Sequence, residues 1–232
     1  PRIAIVTGEI SVYSFSLNNY INVISGNEFN AILSSIFISS SVAFLLCIMA
    51  MPLAYKMIFI NSKFRHYLLI MFILPRLVPI VVLALPLFLL FSSINLIGNV
   101  IAPILSLSIL NLGAAVWIFY SILEAIPRNI FSTMKLDRLS IYDSWAKVIL
   151  PIVRFRIVAA WFFLFILAWG DSIFASLLAG YGNQTVGSTL LSFVTPFGTD
   201  WGRLAAFIGI AIIPSLMLSI IWIYSERTRV SI

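Results

Sequence analysis

Few side chains in this chain could do chemistry, and they lie far apart. His66 is the only histidine and Cys47 the only cysteine, so neither a cysteine metal cluster nor an intrachain disulfide can form. Cys47 stands in an apolar run and reads as a small buried hydrophobe. His66 follows Lys63 and Arg65 and reads as solvated. There is no His-Glu-x-x-His, no Gly-x-Ser-x-Gly and no phosphate-binding glycine loop, so an intramembrane enzyme would have no visible machinery. Gly180-Tyr181-Gly182 echoes part of a potassium filter, but Leu178 and Ala179 precede it where the filter has Thr-Val. It reads as a loop turn.

Two charges stand out because of what surrounds them. Arg76 lies inside an apolar run, between Pro75 and Leu77, and Asp171 follows Trp169 and Gly170. A charge at membrane depth is costly and usually faces a cavity or a partner. Two readings stay open for each. Arg76 either lines a transport path or gate, with Pro79 beside it, or forms a structural ion pair or snorkels to an interface. Asp171 either sits near an outer gate with Trp169 or pairs within a helix bundle.

The elements that must position these residues are membrane spans. Apolar residues make up 62% of the 232, charged residues 9%, and the mean hydropathy is +1.11, where a soluble domain carries about 25% charged residues. Such a chain needs lipid around it. The fold class is therefore an all-α membrane protein, a polytopic helical bundle. Five stretches are long enough to cross, near 32–55, 67–91, 100–123, 157–179 and 204–225. Residues 1–30 read as an external segment with at most short helices, and 31–232 as the transmembrane domain. Pro75, Pro79 and Pro86 should kink or break the second span, either to line a cavity or only to serve packing. No internal repeat is visible, which argues against a secondary transporter built from paired halves.

Basic residues set the orientation. Lys56, Lys63, Arg65, Arg128, Lys135, Arg138, Lys147, Arg154, Arg156, Arg227 and Arg229 fall on one side; Arg2 and Arg203 fall on the other. The positive-inside rule puts the first group, the 124–156 loop and the C-terminus in the cytoplasm. The net charge of +6 is thereby explained by topology, and no nucleic-acid partner is expected. An N-terminus outside without a signal peptide predicts a further span before Pro1, a sixth in all.

The 124–156 loop carries its own helix signals. Pro127 suits a first helical position, and Ile130 and Met134 share a face. Ser140 with Asp143 resembles a capping box. Ile141, Trp145, Val148 and Ile149 recur at helical spacing, and Pro151 should end the run at Leu150. Two short amphipathic helices at an angle result, fit to lie on lipid or to dock on a partner.

From Ile126 to Pro151 the loop resembles the cytoplasmic coupling loop of ABC importer permeases, IPxxxxEAAxxDGAxxxxxFxxIxLP. It matches at Ile126, Pro127, Asp137, Leu150 and Pro151, with Val148 for Ile and Trp145 at the aromatic position. Ser132, Thr133 and Met134 replace Glu-Ala-Ala, and Arg138 and Leu139 replace Gly-Ala. A glycine at 138 would permit a left-handed turn that Arg138 adopts only at a cost. The likeness runs from about 15 to 225. Asn18-Asn19-Tyr20, Leu74-Pro75-Arg76-Leu77-Val78-Pro79, FILAWGDSIF at 165–174, and Thr199-Asp200-Trp201 with Ala205, Ala206 and Pro214 all resemble the smaller permease of the maltose-type carbohydrate importers.

The resemblance implies a type I ABC importer permease in the cell membrane, importing a sugar or oligosaccharide, or a non-sugar solute as the alternative. It implies a second permease, two ATPase subunits and an extracellular substrate-binding protein as partners. The permease itself would be no enzyme and hold no cofactor, ATP and Mg belonging to the ATPases. Docking would fall to Pro127, Arg128, Ser132, Asp137, Arg138, Ile141, Tyr142, Trp145, Leu150 and Pro151, with Ile141, Tyr142 and Trp145 as the apolar contact.

Overall fold

The computed structural model describes residues 17–230 except 139, 172, 181, 182, 196 and 197, with side chains for all of these but 141, 175, 218 and 221–230. Residues 1–16 of the predicted external segment, Leu139 in the loop, Ser172, Tyr181 and Gly182, and the side chains of Ile141, Arg227 and Arg229 thus lie outside the described residues.

A short helix, α1 (Asn18–Ser25), ends at extended Gly26, and α2 (Asn27–Ile58) begins at once. The first long helix therefore starts five residues before the expected 32, because Asn27 and Glu28 enter the helix once Gly26 has turned the chain. Glu28 is held there by an ion pair to Arg203, 2.5 Å away. After α2 come α3 (Ser62–Leu77) and α4 (Ile80–Ser93), then α5 (Ile101–Glu124) and α6 (Arg128–Leu136). A single turn, α7 (Ile141–Asp143), runs into a π-helical segment at Ser144–Ile149 and on into α8 (Leu150–Trp169). Next are α9 (Ile173–Leu178), α10 (Val186–Ser192), a two-residue antiparallel pair of β1 (Val194–Thr195) and β2 (Gly198–Thr199), and α11 (Trp201–Val230).

Among the described residues three helices are long and apolar enough to cross a membrane: Asn27–Ile58, Ile101–Glu124 and Ser144–Trp169. The α3–α4 pair makes a fourth crossing if counted as one broken span, and Trp201–Met217 is a shorter apolar helix. The second span breaks as its prolines foretold, but at one of the three. Pro79 forces Val78 into the extended region (φ −71°, ψ 131°), and the two halves meet at 86°. Leu74 stays helical despite Pro75, and Pro86 lies inside α4.

The fourth span differs from the expected 157–179. It reaches back to Ser144 and stops at Trp169. Pro151 was expected to end a short helix at Leu150, yet Leu150 is helical (φ −56°, ψ −45°) and Pro151 opens α8. The π-helical segment just before it explains why. A proline in a helix removes one donor and crowds the carbonyl four residues back; widening the preceding turn relieves the crowding. At the other end Gly170 closes α8, and the Asp171 carboxylate accepts from Phe174 N–H (3.1 Å) to start α9.

The centre of the bundle is α2, packed along α5 and α8, with α3 laid on α5. Small residues on α2, among them Ala43, Ala50 and Ala54, are fully buried, which lets backbones close without a hydrophobic drive between helices. Gly113 does the same for α5: a Cβ there would collide with the Phe72 carbonyl of α3. A second, smaller core joins α1, α10 and α11 at one end through Val23, Val186, Phe193 and Phe207.

Candidate functional site

Two regions collect the residues singled out in the sequence, one at the helix breaks midway along α5 and one around α6. The first is a cavity of about 490 Å³ between the α3–α4 break, α5 and the α8–α9 break. Each break supplies one charge. Arg76 stands in the last turn of α3, where the helix dipole favours a cation. Asp171 stands at the gap between α8 and α9. The Arg76 guanidinium donates from Nη1 to Asn111 Oδ1 (2.8 Å), and Asn111 Nδ2 donates to the Leu107 carbonyl one turn back (2.8 Å). That second bond fixes the amide so that its oxygen faces Arg76. The remaining wall is apolar, from Val78, Ile80, Leu110 and Ile166 among others.

Arg76 and Asp171 thus line the same space, though 95 positions apart in the chain. Asn111 of α5 is the third polar member, bonded across to Arg76 on α3; its spacing from Arg76 carries no signal in the sequence. Pro79 creates the break and caps α4 but does not line the cavity. Trp169 ends an aromatic stack along α8, Trp161–Phe165–Trp169, with centroids 5.7 and 5.4 Å apart. It borders a separate, largely apolar cavity of about 280 Å³ against α10 and α11.

The second region is α6 and the bend behind it. Ile126, Phe131 and Met134 are buried, seating α6 on the end of α2. Phe131 meets Phe59 edge-on at 5.8 Å, Phe59 meets Tyr55 at 5.1 Å, and Tyr55 meets Trp145 at 5.3 Å. Lys135 caps this ladder over the Phe59 ring at 4.6 Å, a cation–π contact. Arg128 Nη1 lies 3.5 Å from the Ile58 carbonyl, at the C-terminus of α2 where a cation is favoured. A second cluster ties α3 to α5: Arg65 lies over the Tyr120 ring and 4.0 Å from Glu124, and the Tyr120 hydroxyl bonds Glu124.

The loop residues fall into two groups. Pro127 is the cap of α6, one position outside it, and Ser132 donates to the Arg128 carbonyl. Asp137 closes the helix, and Arg138 follows in the left-handed region at φ +50°. Ser140 accepts from Asp143 N–H (3.0 Å) and donates its hydroxyl to the Asp143 carboxylate (2.7 Å). Bonds from Lys147 and then Ser140 hold the Asp143 carboxyl below the usual carboxylate range. Trp145 is half-buried on Tyr55, whereas Tyr142 is 80% exposed. Leu136, which the sequence reading passed over, is 81% exposed at the end of α6. Leu150 and Pro151 are exposed at the start of α8. Among the described residues no three His, Cys, Asp or Glu side chains gather closely enough to hold a metal.

Comparison with known proteins gives this geometry a family. A sulfoquinovosyl glycerol transport system permease of Agrobacterium fabrum is 25% identical over 91% of this chain and 74% of its own length. An ABC transporter permease of Streptomyces antibioticus, described as putative, is 26% identical over 81% of this chain and 82% of its own. A diacetylchitobiose uptake system permease of Streptomyces coelicolor is 23% identical over 73% and 60%. Among such relatives the chain spans from 52% to 82% of their length. Residues 47–225, which run from the middle of α2 into α11, match the binding-protein-dependent transport system inner membrane component family, and the chain belongs to it.

Proposed function

We propose that this chain is one of two permease subunits of an ATP-driven importer that receives a sugar or oligosaccharide from an external binding protein. The observation that carries the reading is the family match, joined to relatives named for sulfoquinovosyl glycerol and diacetylchitobiose transport. ATP and Mg belong to the partner ATPases; the permease holds neither and catalyses nothing itself. The α6 end of the bundle faces the cytoplasm. Nine described basic residues support this, from Lys56, Lys63 and Arg65 through Arg128, Lys135, Arg138 and Lys147 to Arg154 and Arg156, against Arg203 at the other end.

On this reading the 126–150 segment is the element on which an ATPase pushes, with Leu136 and Tyr142 offered outward. The aromatic ladder and the Arg128 contact make α6 and the end of α2 one body, so a push on α6 moves a span rather than a loop. The cavity at Arg76 lies on the solute's path, and α2, α5 and α8 tilt to open it to one side or the other. The test is reconstitution of the four-subunit complex with its binding protein in liposomes. ATP-dependent uptake of at least one sugar from a labelled panel is expected. ATP-dependent uptake of an amino acid or metal with no sugar transported would overturn the solute class; ATPase that fails to assemble with the chain would overturn the permease role.

A further inference from the structure

The cavity between the two broken helices holds one fixed cation and one fixed anion in an otherwise apolar lining. Arg76 presents donors, Asp171 acceptors, and Asn111 has its amide oriented by the Leu107 carbonyl. A guanidinium carries five N–H donors and no acceptor; a carboxylate only accepts. A solute that satisfies both must donate and accept over one small body while offering apolar C–H faces to Val78, Ile80 and Leu110. A polyol does so. The volume of about 490 Å³ lies in the range of small-molecule sites, roughly 300–1,000 Å³. Charge decides the rest. Both groups border the one cavity, so each acts on a solute within it at short range. An anionic solute meets repulsion from Asp171 that cancels what Arg76 offers, and a cation meets the reverse.

We propose that Arg76 and Asp171 are specificity-determining residues that make this cavity select an uncharged polyhydroxylated solute over its acidic counterpart. The inference rests on the permease reading but is read out separately from it. Both residues also serve their helices: Arg76 sits at the C-terminus of α3 and Asp171 caps α9. The chosen variants keep those roles. Asp171→Asn retains a capping side chain, and Arg76→Gln retains an amide donor for Asn111.

The experiment uses the assembled transporter in nanodiscs, with Cys47→Ala to remove the native thiol and a reporter cysteine at Leu110 or, if that variant assembles poorly, at Val78. Labelling rates are measured with an anionic and a cationic methanethiosulfonate, alone and with maltose, lactose, cellobiose or their aldobionic acids present. The anionic-to-cationic rate ratio should rise about tenfold or more in Asp171→Asn and fall comparably in Arg76→Gln, as expected for a unit charge acting at short range. At least one neutral disaccharide should slow labelling of the reporter while its acid does not, and Asp171→Asn should admit the acid. A ratio unmoved by both substitutions overturns the proposal, as does protection by none of the neutral sugars, or by the acid as well as the neutral sugar before any substitution. A wrong importer assignment would announce itself elsewhere, as absent ATP-driven sugar uptake by the unsubstituted complex.

Discussion

Arg138 adopts φ +50° where the importer-permease loop pattern that the sequence resembles has glycine. For an ordinary residue the left-handed region costs roughly 1–2 kcal/mol, while glycine gives back about 0.4–1 kcal/mol through its freer unfolded chain. The difference favours glycine. Arg138→Gly should therefore stabilise the bend by about 0.5 kcal/mol, seen as a small rise in thermal midpoint of the solubilised complex, and Arg138→Val should lower it. A midpoint that fell with glycine would mean the arginine side chain contributes more than its backbone costs; it lines a cavity with Tyr55, Phe59 and Lys135. This strain could be anticipated from the chain because the family pattern placed a glycine at that position. The inward turn of Trp145 could not. A helical stripe says which residues share a face, not what the face meets, and here it meets Tyr55, 90 positions earlier in the chain.

The same division holds for whole elements. The break between α3 and α4 was legible because a proline acts on the residue beside it. The run of helix through Leu150 and Pro151 was not, because the same local rule is overridden by a π-helical turn and by packing: Ile149 and Val153 are fully buried against the core. The cavity was legible only as two odd charges, since it exists where two separate breaks meet. Pro79 is the local cause of one of them. Pro79→Ala frees Val78 to become helical, and an unbroken helix would place the Cα atoms of positions 67 and 89 about 33 Å apart at 1.5 Å per residue. The 86° bend makes the separation much shorter. Spin labels at Tyr67 and Leu89, both exposed, should show a long-distance component in the variant and not in the parent. A single unchanged distance would mean that the packing of α4 on α9, rather than Pro79, sets the bend.

At the scale of the whole molecule, exposed apolar side chains need a solvent, and the two ends of the bundle differ in which one they have. Most lie on the spans, where lipid accepts them. Leu136 and Tyr142 do not. Leu136 ends α6 and Tyr142 lies in α7, in the company of Lys135, Arg138 and Lys147. Each is about four-fifths exposed, and the seat beneath them is already filled by Phe131, Met134 and Trp145. A protein partner covers such a pair better than water does, and two large side chains, one closing α6 and one in the α7 turn, are suited to be anchors. Loss of a buried anchor at an interface costs about 2 kcal/mol or more, over tenfold in affinity. Replacing Leu136 and Tyr142 together by alanine should therefore weaken ATPase co-purification at least tenfold and leave the remaining ATP hydrolysis uncoupled from uptake. Leu89→Ala, on the apolar stretch of α4, should change neither. Trp145→Ala should act differently, lowering the thermal midpoint of the complex first, because its ring is spent on Tyr55. Normal ATPase association after loss of both Leu136 and Tyr142 would sink the docking role of this bend, and a basic end resting on lipid headgroups would take its place.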